Sequence, residues 1–490
     1  MSPLNGFIAP GTSNHHLESF FEAPLDAASV GAIPDSWPGP ALRATIEENR
    51  SFFVGKRVLV TGACGFVGGH LARALHAAGA IVTALDSDIS PSRGSQLDLT
   101  GLRHHLNMVQ ADITERAAMA DIVQNGGFSH IFHLAAGATT VEKAMADPYG
   151  TIMANTMGFV NLAEGARLLP EGERPVVIYS STDKVYGEAE VLPYTEEHDL
   201  GGVGVYDAAK LCADILAGTY HKALGVPTIV LRMCNIFGPY DLNFDYRLIP
   251  KSMRNIFRDG ESPELYMNSV EHFRDYLFVE DAVRAYFHIA ACKGCEGRVY
   301  NLPGAHYSAT PDILRDIVSH IGTLQDEAML ESPDSPLANH HWNRSIRIVP
   351  SDPKLITISK QHLDGTRIQV EANFEPQSSF RDGLQATALF YLWYFSEIAP
   401  RPQSEIEAQE MESLEETHGP SAFDTVYTDD GLPVHVLNPR ALIAKAARAE
   451  ADKGDARYNS LRNAKVESKC NAGNGYNRPR AFVLESPLIY

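Results

Sequence analysis

Residues 179–190 read YSSTDKVYGEAE, and the apolar run PVVI stands just before them. A strand leaving a core here ends in a hydroxyl, a carboxylate and an amine: Thr182, Asp183 and Lys184. Each buried polar group without a partner costs about 1–3 kcal/mol, so the trio needs a reason. Either it is an ordinary Asp–Lys ion pair on a solvated loop, or it works in a cleft. Downstream, Tyr206-Asp207-Ala208-Ala209-Lys210 sets a phenol and an ammonium on one face of a helix. An ammonium beside a phenol favours the phenolate and is expected to bring its pKa down from about 10 toward neutrality. Such a tyrosine takes a proton from a hydroxyl while hydride leaves the same carbon. The spacing Y-x-x-x-K is common by chance. It gains force from Thr182, at a strand's C-terminal end, where ligands sit in open α/β sheets.

A second pattern supplies the hydride acceptor. Thr61-Gly62-Ala63-Cys64-Gly65-Phe66-Val67-Gly68 follows a strand and opens a helix, the context of a dinucleotide fingerprint. Gly62 permits the tight turn, Gly65 lets backbone approach a pyrophosphate, and Gly68 allows helix to pack close on strand. The helix N-terminus then stabilises phosphate charge. Asp86 ends the next strand about 20 residues on, where a carboxylate accepts from the adenosine ribose hydroxyls and repels a 2′-phosphate. NAD is therefore expected over NADP, with Arg93 nearby the one feature against it. Cys64 inside the loop reads as a small apolar filler.

The surrounding elements fit an α/β class with a doubly wound parallel sheet. KRVLVTGACGFVGGHLARALHAAGAIVTALDSD reads as strand, glycine turn, amphipathic helix and strand. HLNMVQADIT, HIFHLAAG, PVVIYSS, PTIVLRMCNIFGP and RVYNLPG repeat the strand pattern, with helical patterns between. The expected organisation is an N-terminal extension over 1–50 and a dinucleotide-binding domain over 51–240, to which 271–305 return. A smaller mixed substrate-binding domain comes from 241–270 and 306–400, closed by a helix in SFRDGLQATALFYLWYF near Phe395. Residues 401–490 form a C-terminal extension without a legible role, beginning with the Glu-rich SEIEAQEMESLEE as a solvated linker.

The 490 residues are too many for one compact core, and the formal charge of -20 argues against nucleic acid or an anionic membrane surface as partner. No apolar run is long enough to span a membrane. No Lys or Arg precedes Arg43, so a secretory signal is not expected. The six cysteines are scattered, which suits a reducing cytoplasm. Cys292 and Cys295 form a lone C-x-x-C with no second pair or nearby histidine, a structural rather than a zinc pattern, and no metal is expected.

From about Lys56 to Phe395 the chain resembles the extended short-chain dehydrogenase/reductase family of NAD-dependent nucleotide-sugar epimerases and dehydratases. The glycine loop, Asp112 in ADIT, His133-Leu134-Ala135-Ala136, DPYGTIMANTMG with Asn155, LRMCNIFGPYD, RDYLFVEDAVRAY and YNLPG occur in that family's order. The resemblance implies cofactor contacts at Gly62, Gly65, Phe66, Val67, Gly68, Asp86, Asp112, Ile113, Leu134, Ala135, Ala136, Tyr206 and Lys210. It implies substrate contacts at Asn235, Arg247 and Arg274, the last on a nucleotide diphosphate. A domain–domain salt bridge is the plainer reading of Arg274. A nucleoside-diphosphate sugar as substrate and a homodimer built through a helix bundle are further implications. Thr182-Asp183-Lys184 resembles the acid-and-base motif of 4,6-dehydratases, closest to CDP-glucose 4,6-dehydratase-like sequences. There Asp183 would be an acid raised by burial, and Lys184 a base lowered by burial and cationic neighbours. The alternatives are C4 epimerisation, with that pair as bystanders, and a non-catalytic NAD-binding scaffold. Ala208-Ala209 replaces the commoner small-Ser pair before the lysine.

Overall fold

The alternating pattern folds into one seven-stranded parallel sheet: β1 (Arg57–Thr61), β2 (Ile81–Asp86), β3 (Asn107–Gln110), β4 (His130–His133), β5 (Val176–Thr182), β6 (Thr228–Met233) and, returning late, β10 (Val299–Leu302). Their order across the sheet is β10-β6-β5-β4-β1-β2-β3, and every neighbouring pair is parallel. The computed structural model describes residues 37–90, 94–351 and 357–399, and the backbone of two strands at 423–427 and 433–437. The residues before 37, the Glu-rich stretch after Pro400 and the pattern NPRALIAKAARAEADK lie outside the described residues.

The strands are Val/Ile/Leu-rich because both faces are covered. Successive residues serve opposite faces. Val58, Val60, Phe132 and Ile178 pack with Leu71 and Leu75 of helix Phe66–Ala77 and Phe287 of helix Val279–Ala291. Leu59, Ile131, Val177 and Tyr179 pack with Val123, Phe159 and Ala217 on the other side. Helix Pro40–Phe53, which the sequence reading left in the extension, buries Leu42, Ile46 and Phe53 in the first of these cores. The Arg284 guanidinium donates to its Thr45 hydroxyl at 3.1 Å.

Two smaller sheets stand over the C-terminal edge of the large one. β7 (Asn235–Phe237) pairs parallel to β9 (Phe273–Phe278), and β11 (His306–Ala309) runs antiparallel to β9. β8 (Glu264–Tyr266) pairs parallel to β12 (Ile346–Val349). The C-terminal region, unreadable in sequence, adds two strands here. β14 (Pro433–Leu437) runs parallel to β12, and β13 (Phe423–Tyr427) runs antiparallel to β14. The closing helix is Phe380–Trp393, continued through a wider turn to Ile398. Among the described residues no helix is long and apolar enough to cross a membrane, and no group of three metal-ligating side chains occurs. Scattered cysteines pointed to a reduced protein, but Cys292 and Cys295 are joined as a disulfide with Cα atoms 5.8 Å apart.

Candidate active site

Strand order reverses between β1 and β4, which opens a crevice at the sheet's C-terminal edge. The glycine loop lies at its mouth. Gly62 has φ of +71°, and a Cβ there would stand 2.8 Å from the Ala135 amide nitrogen. A Cβ on Gly68 would stand 2.1 Å from the Gly62 carbonyl oxygen. Gly65 donates its N–H to that carbonyl at 3.0 Å and precedes helix Phe66–Ala77, whose N-terminus carries no side-chain cap. Asp86 is buried, and its Oδ2 accepts the Cys64 N–H at 3.0 Å, so the carboxylate is fixed against the loop. These features fit a dinucleotide: a backbone cradle that side chains would fill, a helix N-terminus for phosphate and a carboxylate for ribose.

The far wall is held as firmly. The Thr61 hydroxyl accepts from the Ala135 N–H at 3.2 Å and shares a hydrogen bond with His133 Nδ1 at 2.8 Å. Burial holds His133 neutral, its pKa lowered to about 3. Asn155, almost fully buried, accepts the Gly137 N–H at 3.0 Å and fixes the loop after Leu134, Ala135 and Ala136. Asp112 Oδ1 accepts both the backbone N–H and the hydroxyl of Thr114 at 2.8 Å, and Asn161 holds the Ile113 carbonyl at 2.9 Å.

β5 delivers the reactive trio. Thr182 ends the strand and its hydroxyl accepts the Lys184 N–H at 3.4 Å, starting the short helix Asp183–Tyr186. Asp183 is only 2% exposed. One of its oxygens accepts the Thr182 hydroxyl at 3.2 Å, and the other has no hydrogen-bond partner. Burial pushes its pKa up to about 7, against the pull of Lys184 and Arg274. Lys184 Nζ stands 5.7 Å from the centre of the Tyr206 ring. Tyr206 is hydrogen-bonded with Thr182. A phenol, a hydroxyl, an acid and an amine thus line one cavity, with Asp183 buried rather than on a solvated loop.

One electrostatic expectation is overturned. The Tyr206 pKa is not lowered: burial raises it most, and the carboxylates of Asp207 and Asp183 add to the rise. Lys210, 4% exposed, turns its Nζ to the Ser180 carbonyl at 2.7 Å rather than to the phenol. Burial lowers its own pKa to about 8.

The three residues assigned to substrate line the same cavity with their polar groups engaged by protein. Asn235 Nδ2 donates to the Asp275 carbonyl at 3.2 Å. Arg247 pairs with Asp241 at 3.0 Å and donates to the Ile236 carbonyl at 2.7 Å. Among the described residues Arg274 makes no salt bridge; it donates to the carbonyls of Phe273, Ile358 and Ser359 at 2.7–3.0 Å. Desolvation there lowers its pKa.

The cavity measures about 1550 Å³ and runs from Gly62 and Asp86 past Tyr206 to Lys251 and Tyr266. Sites for one small ligand span about 300–1,000 Å³, so this one has room for a dinucleotide and a second molecule. Sequence reading missed Lys251, paired with Glu264 at 2.7 Å, because β8 and the helix Leu248–Arg254 meet only in the fold. It also missed Asp214, although Tyr206, Lys210 and Asp214 repeat at i, i+4 and i+8, a spacing that places all three on one helix face.

A family model described as the NAD dependent epimerase/dehydratase family matches residues 58–302. The dTDP-glucose 4,6-dehydratase of Escherichia coli is 29% identical over 358 residues, covering 69% of this chain and 93% of that protein. The UDP-glucose 4-epimerase of Mycolicibacterium smegmatis is 28% identical over 344 residues, covering 68% and 98%. Among solved structures, the dTDP-glucose 4,6-dehydratase DesIV of Streptomyces venezuelae, determined with NAD bound, matches with a TM-score of 0.57 at 28% identity, over 70% of this chain and 97% of that one.

Proposed function

The chain belongs to the NAD dependent epimerase/dehydratase family, enzymes that act on nucleotide sugars with NAD, and from that premise we propose that it is a nucleotide-sugar 4,6-dehydratase. The observation that carries this reading is Asp183: a buried carboxyl with its pKa near 7 and one oxygen without a partner, next to Lys184 and Tyr206. Simple epimerisation has no use for such an acid.

Gly62, Gly65, Phe66, Val67 and Gly68 would hold the phosphates of NAD, Asp86 its adenosine ribose, Asp112, Ile113, Leu134, Ala135 and Ala136 its adenine side and wall, and Lys210 with Tyr206 its far end. Bound NAD would accept hydride from the sugar C4 and return it at C6, and its positive charge would oppose the burial that keeps the Tyr206 phenol protonated. Tyr206 takes the C4 hydroxyl proton, and Thr182 shares the hydrogen bond to that oxygen. The C4 ketone makes the C5 proton acidic, and Lys184 removes it. Asp183 gives its proton to the C6 hydroxyl, the C6–O bond breaks and water departs. Lys184 then returns a proton to C5, which leaves a 4-keto-6-deoxyhexose. Asn235, Arg247 and Arg274, which line the cavity, would meet the substrate, the planar forks of the arginines suiting a diphosphate.

The test is incubation with CDP-, dTDP-, GDP- and UDP-sugars in deuterium oxide. Dehydration lowers product mass by one water and places deuterium at C5. The competing reading, C4 epimerisation, rests on epimerase relatives of similar identity and predicts neither change.

A homodimer is part of the same proposal. Tyr149 and Ile152, on helix Pro148–Ile152, and Ile215, on the adjoining helix Val205–Leu224, are 76%, 48% and 55% exposed. An apolar face across two neighbouring helices suits a second copy of the chain.

A further inference from the structure

Behind the reactive groups lies a buried charge pair that no step above uses. Arg232, on β6, and Asp214, on the helix that carries Tyr206 and Lys210, are each 4% exposed. The guanidinium grips the carboxylate with two bonds, of 2.9 and 2.8 Å. A buried pair of this kind seldom adds net stability over an apolar replacement, so stability alone is a weak reason for it.

Its connections supply another reason. Asp214 Oδ2 also accepts the Ser181 hydroxyl at 2.7 Å. Ser181 follows Ser180, whose carbonyl takes the Lys210 ammonium at 2.7 Å. One carboxylate therefore reaches Lys210 twice: by charge, from one helical turn away, and by mechanics, through the strand that carries the lysine's acceptor. We propose that Asp214 is a positioning residue for Lys210, fixing its acceptor through Ser181 and setting the local charge together with Arg232. The proposal rests on Lys210 standing at the cofactor and does not depend on which sugar reaction follows.

The groups facing Lys210 are few. From β4 comes His133, kept neutral by burial. From β5 comes Tyr179, whose ring centre is 5.0 Å from Nζ and whose phenol is held protonated by burial and by Asp214. Its own helix carries Tyr206, Asp207 and Asp214, β6 carries Arg232, and the short helix after β5 carries Asp183 and Lys184. Burial pulls the Lys210 pKa down, and Asp214 is the charge that holds it up. Removing Asp214 leaves burial unopposed at the ammonium and leaves Arg232 without its carboxylate. Removing Arg232 frees the carboxylate to favour the ammonium more strongly.

The two halves of one ion pair thus have opposite effects, which a purely structural role would not produce. The experiment uses the full chain and measures NAD affinity by calorimetry from pH 6 to 10, with thermal melting to confirm folding. The expected midpoint of the alkaline loss of affinity moves down by about one pH unit in Asp214→Asn and up in Arg232→Met. Ser181→Ala, which cuts the mechanical tether and keeps both charges, weakens NAD several-fold at every pH with the midpoint unmoved. Shifts of the same sign in the two charge variants, or none in either, overturn the proposal. Should Asp214→Asn fail to fold, Arg232→Met decides: an upward midpoint supports the proposal, and a fixed or lower one overturns it. Because the readout is cofactor binding, failure of the dehydratase reading leaves this test intact.

Discussion

The Thr182 hydroxyl reaches one oxygen of Asp183 at 3.2 Å, and the other oxygen, equally shut off from solvent, faces no protein partner. A carboxyl held this way keeps its proton near neutral pH and has one oxygen free to deliver it. In the proposed elimination that proton goes to the leaving hydroxyl.

The pH dependence follows directly. Asp183 acts as an acid only when protonated, and its pKa is raised to about 7. The rate of water loss is expected to fall as pH rises through about 7, approaching tenfold per unit well above it. Asp183→Asn abolishes this dependence and slows dehydration by about 10²–10⁴-fold, as initial rates between pH 5.5 and 9 will register.

The same residue bears on stability with the opposite benefit. Its folded pKa lies above the ordinary 3.8, so between 3.8 and about 7 the folded chain keeps a proton that the unfolded chain has lost. Stability from this group is full below 3.8 and is lost as pH rises through about 7. Asp183→Asn is therefore expected to melt a few degrees higher than the native chain at pH 8, with the gap shrinking to roughly a third of that at pH 5. Calorimetric melting at the two pH values checks it.

Lys184→Ala separates the half-reactions. Oxidation at C4 needs Tyr206 and Thr182 alone, so it persists, while deuterium no longer enters C5 and water is not lost. Reduced cofactor then accumulates in stoichiometric amount, visible by absorbance. Full dehydratase activity in this variant removes Lys184 as the C5 base.

Gly68→Ala tests the cofactor cradle. Its new methyl would stand 2.1 Å from the Gly62 carbonyl oxygen, a clash of backbone with no flexible side chain to give way. NAD affinity is expected to drop at least tenfold by calorimetry, through displacement of the loop.

Ile215→Glu tests the assembly. A carboxylate on this exposed apolar face would have to be buried without a partner in the proposed interface. Light scattering is expected to report a dimer for the native chain and a monomer for the variant, with the melting temperature of the monomer fold little changed.

What the sequence disclosed was local. The glycine loop, Asp86 after β2 and the Tyr206/Lys210 pair are each fixed by short-range geometry, and the structure places them in one crevice. The state of Tyr206 was misjudged because burial and two carboxylates outweigh a lysine that finds a carbonyl instead. Arg274 lines the cavity, and its donors also reach carbonyls of 358 and 359, contacts between segments far apart in the chain that no local pattern announces. The pairing of β12 with β14 was invisible for the same reason: strand register between residues 88 apart, as Ile346 and Val434 are, leaves no local trace.

That pairing sets an order of events during synthesis. β12 emerges from the ribosome well before Pro433–Leu437, and until the later strand arrives one rim of the sheet offers its backbone amides and carbonyls to any passing chain. A nascent or prematurely terminated polypeptide ending between these two strands holds every reactive group described above and still carries an adhesive rim. Loss of its final segment would thus appear first as clumping in the cell, ahead of any loss of chemistry.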